Sequence, residues 1–93
     1  MKKLSNGIAY YGNNNPDKQA IIFLHGFPFN HTMWNFQAEK LANDYNVIQY
    51  DLRGLGNSEV GDGQYTMELM VDDLMFLIYE LNLDKPVICG LSM

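Results

Sequence analysis

Three short, almost wholly apolar runs, separated by longer stretches with helical spacing, constrain the fold of this chain most strongly. The runs are residues 19–25, residues 47–50 and residues 87–89. This composition is typical of strands covered on both faces, whereas half-exposed strands alternate apolar and polar side chains. A further extended segment, residues 8–11, is separated from the first run by the turn-forming cluster 12–17. The chain therefore contains four predicted strands.

The stretches between the runs predict two amphipathic helices. Asn30 or Thr32 can cap the start of the first helix, and Thr66 can cap the start of the second. Glu68 lies in the first turn of the second helix, where the helix dipole favours a carboxylate. The apolar positions at helical spacing are Trp34, Ala38, Leu41 and Tyr45 in the first stretch and Met70, Leu74, Leu77 and Leu81 in the second. Acidic side chains off the second stripe, such as Asp73, are expected in solvent.

The predicted order is strand, strand, helix, strand, helix, strand. Alternating strands and helices predict an α/β fold with a mostly parallel sheet, right-handed crossovers and helices on both faces. With 93 residues there is room for one small domain, and a chain of this length is also the size of half a larger fold. We therefore expect a single unit, residues 1–93.

Composition excludes several classes of protein. With 47% hydrophobic and 18% charged residues, the chain is expected to be globular and soluble rather than disordered. A net charge of −5 without any basic stripe argues against a nucleic-acid partner. No apolar segment follows Lys2 and Lys3 as in a signal peptide, and no run is long enough to span a membrane. The single cysteine, Cys89, excludes an internal disulfide, and we expect a cytoplasmic protein without metal or cofactor.

The last predicted strand leads directly into Gly90-Leu91-Ser92-Met93, the first four positions of the pattern G-x-S-x-G. In this pattern a serine occupies a strained turn between strand and helix, which exposes its hydroxyl above the sheet. Small residues flank the serine because a larger side chain would collide with the backbone, and Gly90 supplies the first of them. A serine after a glycine is ordinarily part of a turn, but the preceding apolar strand favours Ser92 as a nucleophile.

A second motif, His25-Gly26-Phe27-Pro28, follows the first apolar run. Attack on a carbonyl group requires fixed N–H donors that stabilise the developing oxyanion. The backbone N–H groups of Phe27 and Met93 are the natural pair for this task. We interpret His25 as a supporting residue that holds the loop by hydrogen bonds, together with Gly26, rather than as the catalytic base.

The third motif, residues 51–58, contains two glycines in a turn. A dinucleotide-binding interpretation of these glycines fails, because Glu59 occupies the third glycine position and no helix follows. A structural role is favoured, in which Asp51 and Arg53 fix the backbone of a sharp turn. His31, at a helix start, is expected to be exposed and without a role.

Taken in order, these motifs resemble the α/β-hydrolase fold family over nearly the whole chain. They are His25-Gly26-Phe27-Pro28, Trp34 in a helix, Asp51-x-Arg53-Gly54-x-Gly56-x-Ser58, and Gly90-Leu91-Ser92-Met93. The resemblance implies a three-layer sandwich with Ser92 as nucleophile and an oxyanion hole formed by the amides of Phe27 and Met93. Haloalkane dehalogenases and epoxide hydrolases of this family have an aspartate at the position of Ser92.

The function implied by the resemblance is hydrolysis of a small carboxylic ester or lactone through an acyl-enzyme. The motifs look most like those of carboxylesterases and enol-lactonases, and they are also similar to those of C–C bond hydrolases and haloperoxidase-like esterases. Two alternatives lie outside catalysis: a member that binds a ligand without turnover, and the remnant of a truncated gene.

In this family the triad acid and histidine follow the nucleophile in the chain. The resemblance therefore implies the N-terminal part of the fold, truncated at the elbow, without the triad acid, the histidine and the cap region. A serine without an imidazole is a weak nucleophile, so we expect residues 1–93 alone to be inactive. We also expect them to be marginally stable or self-associating, because the last strand lacks a neighbour on one side.

Overall fold

Within the described part of the chain, five strands and two α-helices follow one another in the order that the apolar pattern predicts, with one additional strand at the start. The computed structural model describes residues 1–61 and 63–91. The strands are β1 (Lys2–Lys3), β2 (Ala9–Gly12), β3 (Ala20–Leu24), β4 (Asn46–Tyr50) and β5 (Val87–Gly90). A short 3-10 helix (His31–Trp34) leads into α1 (Asn35–Leu41), and α2 is Met67–Glu80. No helix within the described ranges is long and apolar enough to cross a membrane.

The sheet is mixed, with the strand order β1-β2-β4-β3-β5. Strand β3 pairs in parallel with β4 and β5, which confirms the predicted parallel core. The two N-terminal strands are antiparallel instead: β2 to β4, and β1 to β2. Only residues 13–19 connect β2 to β3. A parallel crossover needs about a dozen residues or more. This connection is shorter, and β3 accordingly runs antiparallel to β2.

The register of the three parallel strands brings their carboxyl ends to one edge of the sheet. Leu24 of β3 lies opposite Tyr50 of β4 and opposite Gly90 of β5. The chain therefore leaves all three strands at the same level, into the 25–30 loop, the 51–58 turn and Leu91.

The two helices cover opposite faces of the sheet, as predicted. Successive residues of a strand point to opposite faces. Ile22 therefore packs in a core cluster with Leu77 of α2, whereas Phe23 packs in a second cluster with Trp34 and Ala38. The Phe23 and Trp34 rings lie 4.8 Å apart between their centroids. The residues of both predicted stripes pack on the sheet, although Trp34 lies in the 3-10 helix and Tyr45 lies beyond the end of α1.

The predicted cap of α2, Thr66, is confirmed; of the two candidates for the first helix, Asn30 caps the 3-10 helix that leads into α1, whereas α1 itself begins after Trp34 without a side-chain cap. The Asn30 side chain accepts a hydrogen bond from the Thr32 N–H at 2.9 Å, and Thr66 Oγ1 accepts one from the Leu69 N–H at 3.2 Å. Each such cap contributes about 1 kcal/mol by satisfying an N–H group that has no partner within the helix.

The expectation that Asp73 lies in solvent is wrong. Asp73 is only 5% exposed, and its carboxylate accepts two hydrogen bonds from the Arg53 guanidinium, at 2.8 and 2.9 Å. Asp73 precedes the buried Leu77 by four residues and so lies on the same side of α2. Arg53, from the turn after β4, supplies the charge that allows a carboxylate to be buried there.

Candidate functional site

The loop that follows β3 begins with a buried histidine whose ring nitrogens are both engaged. Nε2 of His25 accepts a hydrogen bond from the Leu52 N–H at 2.9 Å, so the ring proton is assigned to Nδ1. Nδ1 lies 3.0 Å from the Gly26 carbonyl oxygen and donates to it. His25 therefore joins the start of the loop to the turn after β4, and its ring has no free nitrogen that could accept a proton from a serine.

Beyond Gly26 the loop is open to solvent. The Phe27–Pro28 peptide bond is cis, and the Phe29 N–H donates to the Gly26 carbonyl oxygen at 2.8 Å. The side chains of Phe27 and Phe29 are exposed, the residues retaining 74% and 55% of their accessible surface. No described residue accepts a hydrogen bond from the Phe27 N–H. The donor that the sequence assigns to the oxyanion hole thus has no partner among residues 1–61 and 63–91.

The far end of the loop is held by Asp51, which directly follows β4. Asp51 Oδ1 accepts hydrogen bonds from the His31 N–H at 2.7 Å and from His31 Nδ1 at 2.8 Å. The expectation that His31 is exposed and without a role is therefore wrong. Its ring is half-buried and stacks on Tyr11, with the ring centroids 3.5 Å apart and the planes inclined by 16°.

The second carboxylate oxygen of Asp51 fixes the turn that follows it. Oδ2 accepts hydrogen bonds from Tyr11 Oη at 2.7 Å and from the Asn57 N–H at 3.0 Å. Asn57 Nδ2 in turn donates to Tyr11 Oη at 2.8 Å. Burial of Asp51 opposes ionisation, but the hydrogen bonds from Asn57, His31 and Tyr11 outweigh it, and the pKa of this carboxyl lies below its ordinary value of 3.8.

The glycine and serine of the third motif make this arrangement possible. Gly56 has a φ of +52°, and a Cβ atom there would lie 2.4 Å from Asp51 Cγ. Ser58 Oγ accepts a hydrogen bond from the Ala9 N–H at 2.9 Å and donates to the Asp51 carbonyl oxygen. Ser58 thereby joins the end of the turn to β2 and to the backbone of Asp51 at its start. The predicted role of Asp51 in fixing a sharp turn agrees with these contacts, whereas the Arg53 guanidinium binds Asp73 of α2.

Strand β5 ends beside the loop. The Leu91 N–H donates to the Leu24 carbonyl oxygen at 3.3 Å, which extends the pairing of β3 and β5 to the edge of the sheet. Ser92 and Met93 lie outside the described residues, as do the roles predicted for them. A Cβ atom on Gly90 would meet Leu24 Cδ2 at 3.6 Å, an ordinary contact, so the described surroundings alone do not require a glycine there.

The described residues contain no group of three histidine, cysteine or carboxylate side chains that could hold a metal ion. Sequence reasoning did not identify Tyr11 and Asn57 as partners of Asp51. Tyr11 lies 40 residues from Asp51, and nothing in its sequence surroundings indicates the contact. Asn57 lies inside the third motif, and its backbone N–H, rather than its side chain, binds Asp51.

The sequence of the chain matches a family model and several known proteins. A family model for the alpha/beta hydrolase fold matches residues 19–93. The chain is 38% identical over 82 residues to "Probable oxidoreductase EphD" of Mycobacterium tuberculosis, covering 86% of this chain and 14% of that protein. It is 34% identical over 94 residues to epoxide hydrolase 3 of Xenopus tropicalis, covering 97% of this chain and 26% of that protein.

Among solved structures, the enol-lactonase of Burkholderia xenovorans superposes with a TM-score of 0.85 at 30% identity, covering 92% of this chain and 34% of that one. The chain thus spans between 14% and 34% of the length of these three proteins. The names of these three proteins indicate different chemistries, whereas the fold of the enol-lactonase is shared by this chain over the superposed residues.

Proposed function

The chain belongs to the alpha/beta hydrolase fold family, and we propose that the protein hydrolyses a small carboxylic ester or lactone with Ser92 as its nucleophile. One observation carries the proposal: the residue two positions beyond the end of β5 is a serine. An aspartate at that place would favour the epoxide or halide chemistry of other members. A serine hydroxyl instead forms an acyl-enzyme with an ester or lactone.

The geometry of the sheet edge supports an oxyanion hole beside Ser92. The chain leaves β3 and β5 at the same level, and Leu91 is hydrogen-bonded to Leu24. Phe27 follows β3 on the neighbouring loop, and its N–H has no acceptor among the described residues. We assign this N–H and that of Met93 to the developing oxyanion. Removal of one such donor ordinarily lowers kcat about 100-fold or more.

In the proposed reaction Ser92 Oγ attacks the carbonyl carbon, and its proton passes to a histidine. Collapse of the tetrahedral intermediate breaks the bond to the alcohol oxygen, which takes the proton, and water then hydrolyses the acyl-enzyme. The two histidines of the chain, His25 and His31, both use Nδ1 in hydrogen bonds, and His25 also uses Nε2. Neither histidine is assigned as the catalytic base, so residues 1–93 alone are expected not to hydrolyse the substrate.

The test is hydrolysis of p-nitrophenyl acetate and of an enol lactone by the natural gene product at its full length. Ser92→Ala should abolish turnover and labelling by a fluorophosphonate, whereas the matched control Ser5→Ala, at an exposed serine, should retain both. Turnover that survives Ser92→Ala would refute the proposal. Labelling of Ser92 without ester turnover would favour a C–C bond hydrolase, and substrate binding without labelling would favour a ligand-binding member.

The same assay on residues 1–93 alone tests the assignment of the histidines. We expect no steady turnover above that of the Ser92→Ala variant. Turnover that depends on Ser92 in this shorter chain would show that one of the two histidines acts as the base.

A further inference from the structure

We infer that Asp51 is a positioning residue for the Phe27 N–H, because it fixes the far end of the loop that carries this donor. The inference rests on the proposed function for its catalytic meaning, while the clamp itself can be measured independently. We call residues 26–30 the β3–α1 loop. The residues that flank it, His25 and His31, are both tied to the turn that begins at Asp51.

The two ends of the loop are held by neighbouring residues of one turn. At the near end the His25 ring accepts from the Leu52 N–H, and at the far end Asp51 Oδ1 accepts from the backbone and the ring of His31. Asp51 and Leu52 follow β4, which pairs with β3 in parallel. The loop is therefore fixed relative to the same sheet edge from which β5 leads toward Ser92.

Within the loop itself little restrains Phe27. The described contacts across its middle are limited to the hydrogen bond from the Phe29 N–H to the Gly26 carbonyl oxygen. The side chains of Phe27 and Phe29 are largely exposed, so their packing restrains the loop only weakly. The orientation of the Phe27 N–H therefore depends on the two anchored ends. Catalysis requires such a donor to be held in place before the charge develops.

A carboxylate is the side chain that suits the position of Asp51. Four donors converge on it, from Tyr11 Oη, the Asn57 N–H, the His31 N–H and His31 Nδ1. Each carboxylate oxygen accepts from two donors, one of which is a backbone N–H. An asparagine would replace one of these oxygens by an NH₂ group, which is itself a donor, and the backbone N–H facing it cannot act as an acceptor. Asp51→Asn is therefore expected to release either the loop or the turn, although it hardly changes the volume of the side chain.

Amide hydrogen exchange in the full-length protein tests the clamp without any substrate. We expect His31→Ala and Asp51→Asn to lower the protection of the Phe29 N–H about tenfold relative to the amides of β4, which report global opening. Asn57→Ala is the matched control: it keeps the Asn57 N–H that binds Asp51 and loses only the side-chain bond to Tyr11. Equal protection of Phe29 in wild type and His31→Ala would overturn the clamp even if Asp51→Asn does not fold.

A conservative variant separates positioning from general stability. His31→Asn places an amide nitrogen where His31 Nδ1 lies, so it keeps the donor to Asp51 and loses the stack on Tyr11. In the full-length enzyme we expect His31→Ala to lower kcat about tenfold or more with KM nearly unchanged, and His31→Asn to restore most of it. An unchanged kcat in His31→Ala would overturn the positioning role. If wild type shows no hydrolysis that depends on Ser92, the proposed function and this catalytic role fail together, while exchange still decides the clamp.

Discussion

Asp51 shows how much of this structure depends on a single ionised side chain. It is fully buried and accepts four hydrogen bonds that reach β2, the β3–α1 loop and its own turn. All four partners are donors, so the site accommodates the ionised carboxyl and disfavours the protonated one. The consequence is a definite dependence of stability on pH.

The pKa of the Asp51 carboxyl lies below its ordinary value of 3.8, because the hydrogen bonds to the carboxylate outweigh its burial. Its contribution to stability is complete above the pKa of the unfolded chain, about 3.9, and is lost as the pH falls through the lower folded value. We expect Asp51→Asn to reduce the free energy of unfolding by about 2–3 kcal/mol at pH 7. Urea melts at pH 7 and pH 3 should show this difference shrinking in acid, and a constant difference would contradict it.

Gly56 allows a second prediction at the scale of one residue. Gly56→Ala combines a positive φ with a Cβ atom 2.4 Å from Asp51 Cγ, so it should lower the free energy of unfolding by about 3 kcal/mol. Gly63→Ala is the matched control, because Gly63 also has a positive φ, +85°, but no atom within 4 Å of the added Cβ. It should cost only about 1 kcal/mol in the same urea melts. Equal losses would show that backbone strain alone decides both positions.

The helices and the parallel strands follow closely from local sequence. Asn30 and Thr66 were recognisable as caps, and the apolar runs give β3, β4 and β5 to within one or two residues. Elements defined by long-range pairing were not predictable in this way. The two-residue strand β1 has no pattern of its own and exists through its pairing with β2. Asp73 was misplaced because its burial depends on Arg53, 20 residues away in sequence.

The pair of Arg53 and Asp73 links α2 to the turn after β4, and its energy can be measured. Arg53→Met leaves the Asp73 carboxylate buried without its guanidinium, so we expect a loss of about 3 kcal/mol in the free energy of unfolding. The double variant Arg53→Met, Asp73→Leu removes both charges and should lose less. A double-mutant cycle in urea checks this, and strictly additive losses would mean that the two side chains do not interact.

At the scale of the whole molecule, the described residues form a sheet that is covered on both faces and has two outer strands, the two-residue β1 and the apolar β5. Strand β5 is the outer strand next to β3, with Val87 and Ile88 about half exposed. The outer flank of α2 adds an exposed apolar stripe at four-residue spacing. Its members are Met67, Val71, Met75 and Tyr79. An apolar edge strand with free N–H and carbonyl groups is a template for pairing with another chain.

We therefore expect residues 1–93 to self-associate through β5, which sedimentation velocity can detect at micromolar concentration. Ile88→Lys places a charge on this edge and should shift the distribution toward monomer. Val60→Lys is the matched control, because Val60 is similarly exposed but lies in a loop away from the edge. If the two substitutions shift the distribution toward monomer equally, the association depends on overall surface hydrophobicity rather than on β5.

The loop after β3 and the turn after β4 could be located from the sequence, because each follows a predicted strand, whereas the roles assigned to Ser92 and Met93 stay predictions. The contacts that hold the motifs together could not be predicted from the sequence. His31 stacks on Tyr11, and Asp51 accepts hydrogen bonds from both of these side chains. These contacts join β2, the turn after β4 and the end of the β3–α1 loop. Such contacts depend on the strand order, and that order places the antiparallel β2 beside β4.

The anchoring of the β3–α1 loop by its ends also bears on how this protein can change over evolutionary time. His25, Asp51 and His31 anchor the ends of the loop, whereas the side chains of Phe27 and Phe29 are largely exposed and contribute little to its path. Saturation mutagenesis should thus find broad tolerance at positions 27 and 29 and near-intolerance at position 51. Lineages could replace the two aromatic groups while inheriting the backbone unchanged.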